Sequence, residues 1–311
     1  MTLGSRFWRA AVFGRERGRS RAENVGRGIA FMCAALAVLV TIAIIAFITI
    51  KGLSTFTVND VSIKEFLLGR QWMPDRPAEQ GGPLVGSFPM LAGSIYVSLF
   101  AVAVGAPLGI IVAVFMTEIA PVWGQRILQP AIELLAGIPS VVYGYIGLST
   151  LVPFIRNHFG GHGFSLLAGF LVLSVMILPT IISVSSDSLR VLPRQWKEAS
   201  VSLGATRWHT IFYVLLPAAR AGILTGVVLG LARAFGEALA VQMVIGNTRQ
   251  VPHSILDPIC TLTSAITLDM GYTVMGTMWN NTLWSMGLLL LTVSFLFIVI
   301  IKVVVKRMAP Q

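Results

Sequence analysis

Charged residues are scarce in this chain of 311 residues, of which 12% are charged and 55% are hydrophobic. An ordinary soluble domain carries about 25% charged residues. The shortage is also uneven, because long stretches hold no charge at all. The remaining charges cannot cover a water-exposed surface, which argues against a soluble enzyme, a nucleic-acid-binding protein and a secreted disulfide scaffold. The composition indicates a polytopic membrane protein instead.

Residues suited to metal or nucleophilic chemistry are few. Cys33 and Cys260 lie far apart in the sequence and indicate neither a zinc cluster nor a CxxC redox pair, and the four histidines lack metal-ligand spacing. The chain contains neither a GxxxxGK[ST] phosphate loop nor an HExxH motif. The aspartates of the predicted external loops form no carboxylate pair. We therefore expect no catalytic residue, no metal site and no cofactor.

Six apolar segments are long enough to cross a bilayer as helices, which takes ~20 residues because lipid cannot satisfy main-chain polar groups. They cover residues 28–50, 90–117, 134–155, 164–186, 221–245 and 283–301. A further stretch, 254–268, is shorter and predicts a re-entrant or interfacial helix on the external side. The first segment is too long for the apolar part of a signal peptide, so we expect it to be retained. The sequence predicts an all-α protein with six transmembrane helices.

Basic residues concentrate in the N-terminal segment 1–27, in the loop 187–220 and in the tail 302–311. Six spans place these three segments on one side of the membrane, and basic residues in short loops mark the cytoplasmic side. The opposite loop, 51–89, balances four bases against four acids. We therefore predict that both termini are cytoplasmic and that residues 90–301 form a core of five spans.

The net charge is +10, and 15 of the 23 basic residues lie in the N-terminal segment, the loop 187–220 and the tail, with seven arginines in the N-terminal segment alone. Arginine interleaved with glycine, alanine and aromatic residues could suit RNA or an anionic lipid surface. The arginines of this segment can be explained by two roles, orienting the chain in the membrane and contacting anionic lipid. A nucleic-acid partner is not needed to explain them. The residues concerned are Arg6, Arg9, Arg15, Arg17, Arg19, Arg21 and Arg27.

The loop 187–220 predicts a helix–turn–helix elbow. Pro193 suits the start of a helix and Gly204 its end, while Thr206 is a plausible N-cap for a second helix that Pro217 should end. Helical spacing places four apolar residues of the second helix on one face: Trp208, Ile211, Phe212 and Leu215. Such an elbow suits either a groove on a soluble partner or a position on the lipid surface.

Within this loop, Glu198-Ala199-Ser200 is followed after three residues by Gly204, and after nine more by Val214-Leu215-Leu216-Pro217. This spacing resembles the EAA motif of ABC-importer permeases, with Ser200 in place of the second alanine and Val214 in place of isoleucine. The resemblance implies a coupling helix that docks into the ATP-binding subunit. It implies that Glu198, Ala199, Ser200 and Gly204 mark the docking surface.

The fifth predicted span contains two charges, Arg233 and Glu237, at a spacing that stacks them on one face of a helix. Gly222, Gly226 and Gly230 share that stripe, and small residues face other helices or a cavity. A charge near the bilayer centre costs ~2.5–3.5 kcal/mol even on an insertion scale, so it is sheltered and usually functional. The arginine fork suits oxyanions. A permanent structural salt bridge explains the pair equally well.

The stretches GLARAFGEALAVQMVIGN, ELLAGIPSVVYGYIGL and MILPTIISVSSDSLR resemble permease subunits of the phosphate-specific (Pst) ABC importers, PstC type. The resemblance runs from about residue 93 to the C-terminus. It implies the type I ABC-importer permease (MetI-like) fold, the bacterial inner membrane and a role for Arg233 and Glu237 in phosphate transport. Ser140 and Tyr143, which follow a proline kink, are weaker candidates for lining the path, because such hydroxyls also satisfy freed main-chain groups.

The same resemblance implies a set of partner chains. They are a second, PstA-like permease, two copies of a PstB-like ATPase and an external PstS-like phosphate-binding protein, so that ATP hydrolysis belongs to other chains. Two further functions stay open at this point. The first is an ABC-importer permease for sulfate, molybdate or phosphonate. The second is a membrane-embedded enzyme that acts on phosphorylated lipid. A regulatory role is neither supported nor excluded.

Overall fold

The computed structural model describes the backbone of residues 4–308 and the side chains of residues 23–77, 79–300 and 302–303. All but one of the N-terminal arginines discussed above, and Lys306 and Arg307 of the tail, lie outside the described side chains. The described chain is helical apart from one two-stranded hairpin, so the all-α prediction is confirmed. The hairpin pairs β1 (Trp72–Met73) with β2 (Leu84–Val85). The α-helices are α1 (Gly4–Thr57), α2 (Ile63–Leu68), α3 (Phe88–Val114), α4 (Val122–Gly137), α5 (Ser140–Ile146), α6 (Val152–Phe159), α7 (Leu166–Arg190), α8 (Arg194–Ser202), α9 (Arg207–Thr210), α10 (Leu216–Gly236), α11 (Leu239–Gln242), α12 (Leu262–Asp269) and α13 (Met278–Met308).

In the part of the chain that the structure describes, five helical runs are long and apolar enough to cross a membrane, and one bent pair of helices supplies a sixth crossing if it counts as one span. The runs are Glu23–Thr57, Phe88–Ile119, Leu166–Arg190, Arg207–Gly236 and Met278–Ile300, and the bent pair is Val122–Gly137 with Ser140–Phe159. The chain is therefore a multi-pass membrane protein, and the predicted number of crossings agrees with the upper count.

The third predicted span is sharply bent, by 93° between α4 and α5. Pro139 explains the position of the bend, because a residue that precedes proline is driven out of the helical region. Ile138 accordingly has an extended backbone, with φ −67° and ψ 126°. Across the bend, the Tyr143 hydroxyl donates to the Leu135 carbonyl at 2.8 Å.

The chain divides into two compact units, residues 1–51 and residues 52–311. In the first unit, the apolar side chains of the described part of α1 are largely exposed around the helix. An apolar helix without a polar face is typical of a membrane span.

In the second unit, α3, α7 and α10 pack closely because glycines line their contacts. Gly105 and Gly109 of α3 lie against Ile177 and Ile181 of α7, and Gly230 of α10 also lies against Ile181. Small residues let the backbones of transmembrane helices approach closely, which increases van der Waals contact. The predicted small-residue stripe of the fifth span therefore does face a neighbouring helix.

A separate hydrophobic core joins the segment after α1 to the region before α13. It contains Phe66, Trp72, Cys260 and Leu262 among its buried residues. The predicted re-entrant or interfacial segment 254–268 contains most of α12, which has eight residues and is too short to span a bilayer. Thr261 caps α12 by accepting a hydrogen bond from the Ser264 amide at 3.1 Å.

Candidate functional site

The loop that follows α7 folds as the predicted helix–turn–helix elbow. Pro193 precedes the first residue of α8, and Gly204 follows that helix with a φ of 82°, a left-handed value that side chains with a Cβ resist. The Thr206 side chain caps α9 by accepting a hydrogen bond from the His209 amide at 3.3 Å. The local signals of proline, glycine and threonine were sufficient to predict this geometry.

Side-chain contacts join the two short helices of the elbow to each other and to the π-helical turn Phe115–Ile119, which directly follows α3. The hydroxyls of Ser200 and Thr210 lie 2.9 Å apart in a buried hydrogen bond between the two short helices. Lys197 forms a salt bridge of 2.6 Å with Glu118, and the Arg207 guanidinium donates to the Glu118 carbonyl. Surface ion pairs contribute only about 0–1 kcal/mol to the free energy of unfolding. The main effect of Glu118 is therefore to orient the elbow.

Of the four apolar residues predicted to share one face of the second helix, two are buried and two are exposed. Ile211 and Leu215 are buried in a cluster that includes Leu189 of α7. Trp208 and Phe212 are exposed instead, and their rings stack with centroids 5.9 Å apart. The elbow therefore presents an aromatic pair on its outer surface, where a partner or lipid can contact it.

The prediction that Pro217 ends the second helix was wrong. The helical run continues from Arg207 to Gly236 without a stop. A π-helical turn, Ile211–Leu215, comes directly before α10, and Pro217 lies in the first turn of α10. A missing N–H is tolerated there, because the first amides of a helix have no partner within it.

The predicted docking residues lie on two sides of α8. Ala199, Ser200 and Gly204 line a groove of about 620 Å³ together with Trp196 and Leu203. Glu198 lines a second groove, of about 730 Å³, on the side of α8 that faces Glu118. The EAA-like segment therefore presents a small-residue groove and a charged groove rather than one surface.

Arg233 lies in the last turn of α10, and its side chain is exposed on the surface of this single chain. One guanidinium nitrogen donates to the Thr180 hydroxyl of α7 at 3.4 Å. Thr180 precedes the end of α7 at Arg190 by ten residues, or about 15 Å along the helix axis. That distance is half of a hydrocarbon layer of about 30 Å, so Arg233 lies deep in the membrane region.

The expectation that Glu237 stacks with Arg233 on one helix face was wrong. Helix α10 ends at Gly236, and Glu237 has an extended backbone, with φ −72° and ψ 131°. The Glu237 carboxylate accepts a hydrogen bond from the Ala240 amide at 3.1 Å. The spacing rule for helix faces requires an unbroken helix, and here the carboxylate satisfies the main chain beyond the break instead. Among the described side chains the ion pairs are Lys197–Glu118 and Arg249–Asp269, so the expected pair does not form.

Ser140 and Tyr143 lie on α5, directly after the bend in the third span. Ser140 is half-buried, whereas Tyr143 is buried and its hydroxyl is used by the bend, as described above. At Gly144, an added Cβ would lie 2.9 Å from the Ala240 Cα, so α5 crosses α11 closely. The structure thus brings the breaks of the third and fifth spans together.

Helix α12 holds the break in the fifth span through residues that the sequence did not single out. The Thr263 hydroxyl donates to the Glu237 carbonyl at 2.7 Å, and the Thr267 hydroxyl donates to the Gln242 side-chain oxygen at 2.7 Å. The end of α12 is anchored by the Asp269–Arg249 salt bridge of 2.6 Å. No local pattern could indicate these contacts, because they join residues about 20–26 positions apart.

A helical membrane domain with an elbow between α7 and α10, and with two adjacent helix breaks near a deep arginine, has the architecture expected of a transport permease. The chain belongs to the family described as "Binding-protein-dependent transport system inner membrane component", whose model matches residues 105–310. Members are permease subunits of ABC transporters, which work with ATPase and substrate-binding partners.

Curated relatives cover most of the chain. It is 55% identical over 286 residues to the probable ABC transporter permease protein YqgH of Bacillus subtilis, covering 92% of this chain and 91% of that protein. It is 33% identical over 298 residues to the phosphate transport system permease protein PstC of Mesorhizobium japonicum, covering 88% and 87% of the two chains. It is 34% identical to PstC of Haemophilus influenzae over 263 residues, covering 78% and 81%.

Solved structures share the fold at low sequence identity. A chain of a bacterial alginate ABC transporter superimposes with a TM-score of 0.63 at 13% identity, covering 93% of this chain and 98% of that one. A chain of the MetNI methionine ABC transporter gives a TM-score of 0.53 at 22% identity, covering 72% and 95%. These likenesses show the MetI-like fold.

The left-handed turn at Gly204 provides a test of the elbow. We expect Gly204→Val to reorient α9, because a β-branched residue at φ 82° costs at least 1–2 kcal/mol. ATP hydrolysis by the complex should then become severalfold less dependent on substrate. Gly204→Asn should retain most of this coupling, since asparagine tolerates the left-handed region. Measuring the ATPase rate with and without loaded binding protein checks both variants, and normal coupling in Gly204→Val would contradict the assignment.

The hydrogen bond from the Thr263 hydroxyl to the Glu237 carbonyl provides a test of how the helix break after α10 is stabilised. Thr263→Val keeps the volume of the side chain and leaves the Glu237 carbonyl without this donor, so we expect the purified chain to lose about 1–3 kcal/mol of stability. Thr263→Ser should recover most of the loss. Thr292→Val is the matched control, because the exposed Thr292 hydroxyl bonds only within its own helix, to Leu288. Thermal unfolding in detergent measures all three, and equal midpoints for Thr263→Val and Thr292→Val would contradict the prediction.

Proposed function

We propose that this chain is a permease subunit of an ABC importer for inorganic phosphate, of the PstC type. The observation that carries the proposal is Arg233, a deep guanidinium that is exposed beside two helix breaks and forms no ion pair among the described side chains. Relatives at 33% and 34% identity are named phosphate transport permeases and support this substrate. The 55% identical relative is named as a permease without a substrate.

The chemistry of the site suits a doubly charged oxyanion. A guanidinium offers a planar fork of donors that matches phosphate geometry. Arg233 uses one nitrogen on the Thr180 hydroxyl at 3.4 Å, which is a long contact that an anion can replace. The Glu237 carboxylate accepts from the Ala240 amide and forms no ion pair with Arg233 among the described side chains, so it does not neutralise the guanidinium in this arrangement. Arg233 would therefore bind phosphate only weakly, and weak binding lets the anion leave the site instead of being trapped on its path.

The proposal assigns a role to the elbow and to the partner chains. Glu198, Ala199, Ser200 and Gly204 would dock the elbow into a PstB-like ATPase dimer on the cytoplasmic side of the inner membrane. A PstA-like permease would complete the membrane domain, and a PstS-like protein would deliver phosphate from outside. The N-terminal arginines would orient the chain and contact anionic lipid, and both termini would be cytoplasmic.

Arginine alone does not select phosphate over sulfate, molybdate or phosphonate, since all present similar oxygens. Uptake of radiolabelled phosphate by cells that express the complete complex tests the substrate. We expect unlabelled phosphate to compete fully and the other oxyanions to compete at least tenfold more weakly. Uptake of labelled sulfate, molybdate or phosphonate that excess phosphate leaves unchanged would assign the permease to that anion.

Arg233 provides the mutational test. Arg233→Gln removes the charge and half of the fork, so we expect phosphate uptake to fall at least tenfold while the complex still assembles. Arg233→Lys should recover only part of the uptake, because a lysine is a point charge without the fork. Arg126→Gln is the matched control, since Arg126 is an exposed arginine in the first turns of α4. Loss of assembly in Arg233→Gln would instead mark Arg233 as a structural residue.

A further inference from the structure

One face of α7 changes from buried to exposed at Thr180, the hydrogen-bond partner of the deep arginine. Gly169 lies three turns before Thr180 on this face and is buried against Ile245, which follows α11. Beyond Thr180 the same face is open, because Ser183 and Asp187 follow at helical spacing and are both exposed. The segment after the break in the fifth span therefore covers this face on one side of the arginine and leaves it open toward the elbow.

The open part of this face is polar while it is still within the spanning helix. Ser183 is seven residues from the end of α7 at Arg190, or about 10 Å along the axis, and Asp187 is three residues, or about 4.5 Å, from that end. The Ser188 hydroxyl is satisfied within the helix, since it donates to the Val184 carbonyl at 2.6 Å. Among the described side chains, Ser183 makes no such bond and Asp187 takes part in no ion pair. Both groups therefore need water or a ligand as a neighbour.

The exposed surface of α3 at the same level is apolar instead. Gly109 of α3 lies against Ile181 of α7, two residues before Ser183. The neighbouring Leu108 is therefore at nearly the same depth, and it is exposed, as is Ile111. Large apolar side chains suit acyl chains, whereas a hydroxyl and a carboxylate in a spanning helix face protein or a water-filled cavity. The two surfaces are thus suited to different neighbours.

Helix α10 leaves space beside the open face of α7 near the elbow. The two helices border a groove of about 430 Å³, which is room for several water molecules. Its lining includes Ala218 and Gly222 of α10, and Asp187 and Ser188 of α7. The exposed Thr225 follows Gly222 by one turn, in the direction of the deep arginine. The open face of α7 therefore ends in a groove that water can fill.

We propose that Thr180 and Ser183 line the half of the anion path between Arg233 and the elbow, and that Asp187 marks its mouth. The proposal rests on the proposed function, which makes Arg233 a weak phosphate site. Hydroxyls can donate to the oxygens of an oxyanion and so replace part of the water that it loses inside the membrane. Asp187 lies at the hydrated groove, where water weakens its repulsion of the anion. In this arrangement the path is open toward the elbow and closed on the other side of Arg233.

The reactivity of introduced cysteines tests the path in the assembled complex. Cys33 and Cys260 are first changed to serine, and the complex in nanodiscs is treated with a water-soluble, membrane-impermeant methanethiosulfonate. We expect Ser183→Cys to react at least tenfold faster than Leu108→Cys, the matched control at the same depth, because a thiol in lipid is neither hydrated nor ionised. Equal rates would overturn the proposal, and so would a Ser183→Cys that another chain covers and that does not react.

Obstruction of the path supplies the transport measurement. Ser183→Trp places a bulky ring beside Arg233, so uptake of labelled phosphate should fall at least tenfold while the complex assembles. Leu108→Trp, on the apolar surface, should stay within twofold of wild type. If Ser183→Trp does not assemble, modification of the assembled Ser183→Cys by the thiol reagent provides the same obstruction and should lower uptake equally. Full uptake by an obstructed complex overturns the proposal.

The two measurements separate this path from the proposed substrate. A complex that reacts at Ser183→Cys, is blocked by obstruction and imports another anion contradicts the assignment to phosphate and leaves the path standing. A complex that imports phosphate while Ser183→Cys stays unreactive overturns the path and leaves the proposed function standing.

Discussion

Main-chain amide and carbonyl groups inside a bilayer find no water, so every interruption of a spanning helix requires partners from the protein. Two interruptions meet in this chain, and each is satisfied differently. At the bend after α4, the Tyr143 hydroxyl donates to the Leu135 carbonyl. At the end of α10, the Glu237 carboxylate accepts from the Ala240 amide, and its carbonyl accepts from Thr263. The polar residues near the proposed path are therefore first of all the residues that make the breaks possible.

This requirement separates the two charges of the fifth span. The break turns the Glu237 carboxylate toward the Ala240 amide, and Glu237 and Arg233 form no ion pair among the described side chains. Arg233 is consequently left with a hydroxyl partner, Thr180, and with an exposed fork. The permanent Arg233–Glu237 salt bridge of the structural explanation is therefore absent from the described side chains.

Local patterns in the sequence predicted the parts of the fold that depend on local physics. Apolar runs located the spans, and Pro193, Gly204 and Thr206 located the elbow, since each acts on its own stretch of backbone. The wrong expectations concerned Pro217 and Glu237, where a π-helical turn and a helix break changed the local geometry. Glu118 and Thr263 were missed because their contacts join distant segments, for example Glu118 and Lys197, 79 positions apart. The sequence thus indicated which helices and turns form better than it indicated the side-chain contacts between them.

The uninterrupted run from Arg207 to Gly236 connects the elbow with the helix break beside Arg233. Its first residue contacts Glu118 at the elbow, and its last turn carries Arg233 beside the break. A helix is stiff along its axis, whereas the segment beyond Gly236 is held by a few hydrogen bonds from α12. A displacement of the elbow by a docked ATPase would therefore be carried along the helix with little loss and would be taken up at the break. In the proposed importer, that is where a change in geometry would alter the access of an anion to Arg233.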